Sequence, residues 1–146
     1  MNQPFYELTI LENHKIFDFE SVGNKIIKKK IIYQNTDRFP FYNLALVDVQ
    51  PDGSLDDISE SNNGDMEKVL ATVIKSLTYF FEQNPDAIVL FKGSTDSRTR
   101  LYQIIINKEL ESIMPIFSIL GINGMKFEKF EKNKSYEGFA IILKKQ

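Results

Sequence analysis

The amino-acid sequence predicts an α+β fold, in which two helices lie on one face of a mainly antiparallel, twisted sheet of about five to seven strands. Three observations predict it. Short runs rich in aromatic and β-branched residues fill positions 5–49, two later segments have the apolar spacing of helices, and more short runs follow the second helix. The 146 residues suit a single domain covering positions 1–146.

The first third of the chain is predicted to consist of strands. These are FYELTI (5–10), KIFDFESV (15–22), NKIIKKKIIYQN (24–35) and FYNLALVDV (41–49). Gly23 and Asn24 predict a two-residue hairpin turn between the second and third of them. The lysines of the third strand are expected on a solvated strand edge, where they guard against edge-to-edge association.

The middle of the chain predicts a helix, a central strand and a second helix. Apolar residues recur at helical spacing from about Asp65 to Gln83, and Asn63, Gly64 or Asp65 is expected to cap this helix. Residues 87–91 are all apolar, which favours a strand buried on both faces. The second helix is expected from about Ser97 to Asn107 or Ile113. In the tail, FSILGI (117–122) precedes a closing hairpin of KFEKFEK (126–132) with YEGFAIILKK (136–145).

Composition excludes several function classes. The chain has no cysteine, so it can form no disulfide, thiolate metal site or cysteine nucleophile. His14 is the only histidine, and therefore no metal site and no Ser-His-Asp triad is expected. The N-terminus does not resemble a signal peptide, and no apolar run approaches the about 20 residues of a membrane helix. We expect a cytoplasmic protein with no membrane partner, and no cofactor is indicated.

The connection GSTDSRTR, from Gly93 to Arg100, carries the strongest functional signal. Glycine permits a sharp turn between strand and helix, and the polar residues Ser94 to Ser97 are all good helix caps. The chain has three arginines, Arg38, Arg98 and Arg100, and two of them lie here. Helix amides, hydroxyls and guanidinium groups together are typical of an anion site. A capped structural turn, with Asp96 paired to an arginine, remains the other interpretation.

The leading hypothesis is a binding module rather than an enzyme, with an anionic ligand such as a nucleotide or nucleic-acid phosphate. The candidate ligand-binding residues are Gly93, Ser94, Thr95, Ser97, Arg98 and Arg100, joined by Asn62 and Asn63 if these lie nearby. The alternative is a protein-interaction component, one of a genetic pair or an oligomer subunit, in which the turn is purely structural. There, the acidic stretch 48–67 and the basic tail 126–146 would meet complementary partner surfaces. An enzyme ranks third.

Four phrases together resemble a family of small uncharacterised bacterial proteins. They are FYNLALVD, SNNGDMEKVLATV, GSTDSRTRLYQ and YEGFAI. The resemblance spans nearly the whole chain and implies a soluble single domain of bacterial origin, but supplies no activity, cofactor or catalytic residue. It marks these positions as places to look for a site: Asn62, Asn63, Gly64, Asp65, Gly93, Ser94, Thr95, Arg98, Thr99, Arg100 and Tyr102.

Overall fold

A computed structural model describes residues 4–56 and 63–145, which form nine strands and two helices. The strands are β1 (Thr9–Leu11), β2 (Ile16–Val22), β3 (Ile26–Asn35), β4 (Phe41–Val49), β5 (Leu55–Asp56), β6 (Ile88–Phe91), β7 (Phe117–Asn123), β8 (Lys126–Lys129) and β9 (Gly138–Leu143), and the helices are α1 (Met66–Gln83) and α2 (Asp96–Ile113). The α+β class is confirmed. The predicted five to seven strands are too few: the two-residue strand β5 carries no sequence pattern, and β1 covers only the end of the predicted strand 5–10.

The chain divides into two compact units. Among the described residues, the unit that contains α1 comprises 4–34, 45–56 and 63–84, and the unit that contains α2 comprises 35–44 and 85–145. We call them the α1 unit and the α2 unit. Strand β4 contributes residues to both, because the division falls between Leu44 and Ala45.

In the α1 unit, the strand order is β1-β2-β3-β4, with β5 paired to β4. The pairs β1–β2, β2–β3 and β4–β5 are antiparallel. Val22 pairs with Ile26, so the β2–β3 turn has three residues rather than the predicted two. Helix α1 begins within one residue of the predicted start. Its apolar stripe packs on the strands; for example, the Tyr33 ring stacks on Phe80 with centroids 4.2 Å apart.

The buried Tyr33 hydroxyl should make the protein sensitive to alkali. It lies 2.7 Å from the Ser76 hydroxyl, and burial raises the pKa of Tyr33 well above its ordinary value near 10. Above about pH 10 the unfolded chain therefore loses a proton that the folded chain keeps, and the free energy of unfolding should fall by about 1.4 kcal/mol per pH unit. Urea unfolding at pH 8 and pH 11 measures the loss. Tyr33→Phe should reduce it, and an unchanged loss in that variant would contradict the assignment.

In the α2 unit, the strand order is β4-β6-β9-β7-β8. Residues 41–44 of β4 pair with β6 in parallel, and the other three neighbouring pairs are antiparallel. The predicted hairpin between 126–132 and 136–145 is wrong, because β7 lies between β8 and β9. The connecting segment brings the Tyr136 ring against Gly121 of β7. A Cβ atom at Gly121 would lie 2.1 Å from Tyr136 Cε1, so this packing requires glycine.

Strand β6 is flanked on both sides but buried on only one face, which corrects the prediction of two buried faces. Val89 and Phe91 are buried, and the Phe91 ring stacks on Tyr102 of α2 with centroids 4.9 Å apart. Ile88 and Leu90 point to the other face and are half-buried. The uniformly apolar run therefore reflects one face packed on a helix and a second face that stays partly open.

Within 4–56 and 63–145, neither helix is long and apolar enough to cross a membrane.

Candidate anion-binding turn

Residues Gly93–Arg100, here named the arginine turn, connect β6 to α2 through a tightly packed backbone. The Gly93 amide donates to Thr99 Oγ1 at 2.9 Å, which ties the start of the turn to the first turn of the helix. A Cβ atom at Gly93 would lie 2.6 Å from Arg98 Cβ and 2.7 Å from the Thr99 backbone nitrogen. Glycine is therefore needed here for close approach of the helix.

One of the four candidate capping residues caps α2. Thr95 is the N-cap, and its Oγ1 accepts from the Arg98 amide at 3.2 Å. Ser94, Asp96 and Ser97 are exposed. Asp96 and Ser97 are the first two residues of the helix, where backbone amides have no intrahelical acceptor. The turn thus presents hydroxyl and amide donors beyond what its own cap uses.

The two arginines have different environments. Arg98 is half-buried, and its Nη1 donates to Ser94 Oγ at 3.2 Å, so it supports the turn from within. Arg100 is exposed, and its guanidinium forms no hydrogen bond or ion pair with the part of the chain that the structure describes. The same is true of the Asp96 carboxylate, so the internal Asp96–arginine pair is not formed among these residues. A cation near the positive end of the helix dipole is unfavourable unless an anion compensates it.

A second basic segment lies against the same helix. Gln103 Nε2 donates to the carbonyl of Lys134, and Asn107 Nδ2 donates to the carbonyl of Lys132 at 3.1 Å. These amides hold residues 131–135, here named the lysine loop, beside α2. Arg100 precedes Gln103 by three residues and so lies one helical turn away on the same side of α2. The run KNK indicated a basic loop in the sequence, but no local pattern indicated that this loop would pack on α2.

The lysine loop contributes one paired and one unpaired side chain. Lys134 Nζ lies 2.5 Å from Glu128 Oε1, and this hydrogen bond raises the pKa of Lys134 above its ordinary value. Lys132 is exposed and forms no side-chain hydrogen bond or ion pair within the described ranges. Within the described ranges, the exposed cations on this side of α2 that have no side-chain partner are therefore Arg100 and Lys132.

Asn63 lies in the α1 unit, and its side-chain amide is already hydrogen-bonded there. Its Nδ2 donates to the Lys25 carbonyl at 2.7 Å and to Ser21 Oγ at 3.0 Å, and its Oδ1 accepts from the Lys25 amide at 2.8 Å. The side chain thereby fixes the turn between β2 and β3. Asn62, the other predicted contributor to the pocket, lies outside the described residues.

Asp65 was predicted as a helix cap and has a different role. It occupies the N-cap position of α1 without a side-chain capping bond. Its Oδ2 instead accepts from the Tyr6 hydroxyl at 2.5 Å and from Ser21 Oγ at 2.5 Å. Burial, followed by the hydrogen bond to Asp65, raises the pKa of Tyr6. These contacts join the start of α1 to β2 and to the segment before β1, and nothing local in the sequence pointed to them.

Residues 2–144 match a family model that is described as a family of unknown function, DUF6934. The chain belongs to DUF6934. The matched range includes both the arginine turn and the start of α1, and the family description carries no activity. No curated protein and no solved structure matches the DUF6934 chain.

The chemistry available at the arginine turn of the DUF6934 chain is that of hydrogen-bond donation and positive charge. It presents exposed hydroxyls, helix N-terminal amides and the Arg100 guanidinium, which suit a tetrahedral oxyanion. Within 4–56 and 63–145, no three histidine, aspartate or glutamate side chains converge as a metal site would require.

Proposed function

We propose that the protein is a non-enzymatic binding module whose arginine turn binds an anionic ligand, the phosphate of a nucleotide or nucleic acid. The observation that carries the proposal is Arg100. This exposed guanidinium lies near the positive end of α2 with no hydrogen bond or ion pair to the described residues, beside a docked basic loop.

Each group at the turn has a defined part in binding. The amides of Asp96 and Ser97 and the hydroxyls of Ser94 and Ser97 donate hydrogen bonds to phosphate oxygens. Arg100 supplies the planar pair of donors that matches a phosphate, and Arg98 holds the Ser94 hydroxyl in place. Thr95 contributes by capping α2, and Gly93 contributes by allowing the first turn of the helix to pack closely against the strand end.

Asp96 opposes an anion at this place, and the lysine loop offsets it. The Asp96 carboxylate is exposed in the first turn of α2, where it carries a full negative charge next to the donors. Lys132, on the loop that is held against Asn107, adds positive potential along the same side of the helix. Removing the carboxylate by Asp96→Asn is accordingly expected to tighten binding of the phosphate.

A thermal-shift titration tests this function. Phosphate, sulfate, a nucleotide panel and short oligonucleotides are added separately, and a ligand at a hundredfold excess over its dissociation constant should stabilise the protein by about 2.7 kcal/mol. The double variant Arg98→Ala/Arg100→Ala should lose the ligand-induced rise in melting temperature. A rise retained in full would contradict the proposal.

Arg38→Ala is the matched control for the loss of an arginine. Arg38 is exposed like Arg100, and it lies near the start of β6, because the carbonyl of Pro40 accepts from the Ile88 amide at 2.9 Å. The arginine turn follows the opposite end of that strand. Arg38→Ala should therefore keep the ligand response of the wild type, and a loss equal to that of the double variant would show a nonspecific charge effect.

The alternative is a protein-interaction component with a structural turn, which would use the acidic stretch 48–67 and the basic tail 126–146. Lys134 lies 2.5 Å from Glu128, and Lys145 lies 3.0 Å from Asp86, so two lysines of the tail already have internal partners. This alternative would gain support from a flat ligand panel together with a double variant that is only less stable.

A further inference from the structure

One face of the strands in the α2 unit points away from α2 and is largely apolar. Residues paired directly across neighbouring strands point to the same face of a sheet. The registers place Ile88 opposite both Phe41 and Ile142, and place Leu120 opposite Ala140, which in turn pairs with Leu90. The apolar side chains of this face, here named the open face, include Phe41, Ile88, Leu90, Leu120, Ile122 and Phe127.

The open face is concave. Phe41 lies on β4 and Phe127 on β8, the two outermost of the five strands β4-β6-β9-β7-β8. In a flat sheet, four strand spacings would separate these positions by about 19 Å. The two rings instead contact edge to face, with centroids 6.2 Å apart. The Phe41 and Phe127 side chains therefore lean toward each other across a face that the strands bend into a trough with an apolar floor.

The residues that pair across the strands on the open face include a lysine but no Asp or Glu, so the trough is positively charged. Lys129 lies directly opposite Leu120, and Lys92 follows β6 opposite Gly138, where an added Cβ atom would lie 3.2 Å from Lys92 Cβ. Both lysines are exposed, and neither side chain has a hydrogen bond or ion pair within the described ranges. Asn43 and Ser118 are the other polar residues in register on this face, and no Asp or Glu shares it.

We propose that the open face binds a long-chain alkyl carboxylate, with its alkyl chain along the apolar floor and its carboxylate at Lys129. Lys92 adds to the positive potential at the trough. A trough that two aromatic rings bridge suits a slender chain, whereas these rings would block a second copy or a flat protein surface. Apolar contact with the half-buried Leu90, Leu120 and Ile122 removes the alkyl chain from water, and the unpaired ammonium selects an anionic head group.

Isothermal titration with dodecanoate, kept below its micelle concentration, tests the proposal. One molecule per chain should bind. Acetate has the head group without the tail and should not bind measurably, and dodecyltrimethylammonium has the tail with the opposite charge and should bind at least tenfold more weakly. Lys129→Ala should weaken dodecanoate binding about tenfold, a loss of about 1.4 kcal/mol.

Lys126→Ala is the matched control on the same strand. Lys126 and Lys129 are both exposed, but Lys126 pairs with Asn123 and lies on the other face of β8. Its removal should leave dodecanoate affinity unchanged. Leu120→Glu, which places a carboxylate on the floor, should abolish binding, with circular dichroism confirming that the variant folds.

Three results would overturn the proposal: no heat of binding with dodecanoate, equal affinity for both charged amphiphiles, or equal weakening by Lys126→Ala and Lys129→Ala. This site is separate from the arginine turn. Arg100→Ala should leave dodecanoate binding intact, and Lys129→Ala should leave the phosphate response intact, so the two functions fail independently.

Discussion

Replacing Asp48 by asparagine is expected to lower the free energy of unfolding by about 3 kcal/mol, because it leaves a buried lysine without its counter-charge. The Lys29 ammonium pairs with Asp48 across β3 and β4, and the two side chains are only 6% and 13% exposed. Removing one partner of a buried ion pair typically costs about 3–5 kcal/mol, and the expected loss lies at the lower end of that range. Asp56 lies opposite Asp48 on β5 and keeps a second carboxylate at this end of the strands. Urea unfolding at pH 7 measures the change.

Asp18→Asn is the matched control for a pair that solvent screens. The Asp18 carboxylate lies 2.8 Å from Lys30, and the two side chains are 41% and 25% exposed. Its removal should cost less than about 1 kcal/mol. A second variant, Asp48→Leu with Lys29→Met, removes both charges and should recover most of the stability lost by Asp48→Asn. Equal losses for Asp18→Asn and Asp48→Asn would contradict the burial argument.

Replacing Asp65 by alanine is expected to cost about 3 kcal/mol, because two buried hydroxyls lose a charged acceptor. The Tyr6 and Ser21 hydroxyls both donate to Asp65 Oδ2, and Ser21 is fully buried. Tyr6 has a fallback acceptor in the Val22 carbonyl at 3.1 Å, whereas Ser21 loses its acceptor outright. Urea unfolding again measures the loss, which should appear as a lower midpoint at an unchanged slope.

Glu67→Ala separates this network from a simple effect of helix-end charge. Glu67 is an exposed acidic residue in the first turn of α1, close to Asp65 in sequence. Its loss should cost about 0.3–1 kcal/mol through the helix dipole. If Asp65→Ala lowers the free energy of unfolding no more than Glu67→Ala does, the hydrogen bonds from Tyr6 and Ser21 to Asp65 contribute little to stability, contrary to the expectation.

Local patterns in the sequence predicted the helices well. Helix α1 forms where an apolar stripe repeats at helical spacing, and that stripe is the face that packs on the strands. The turn into α2 was also predictable, because Gly93 and Thr95 act through neighbours fewer than seven residues away.

Long-range pairings were not predictable in the same way. Lys29 belongs to a lysine-rich run that reads as solvated, yet β3 lies between two other strands and Asp48 is 19 residues away. The insertion of β7 between β8 and β9 likewise brings Tyr136 against Gly121, a contact that no local pattern contains. The docking of the lysine loop on α2 depends on two amide side chains 25 and 31 residues from their acceptors.

Amide chemical shifts from nuclear magnetic resonance report whether the arginine turn binds a phosphate group. Inorganic phosphate, and then a short oligonucleotide, is titrated into the labelled full chain at constant ionic strength. Phosphate binding at the arginine turn should give saturable shifts at the amides of Asp96 and Ser97 and at the Arg100 side chain, and none of comparable size at Arg38. Saturable shifts elsewhere with an unchanged arginine turn, or no saturable shift at all, would contradict it.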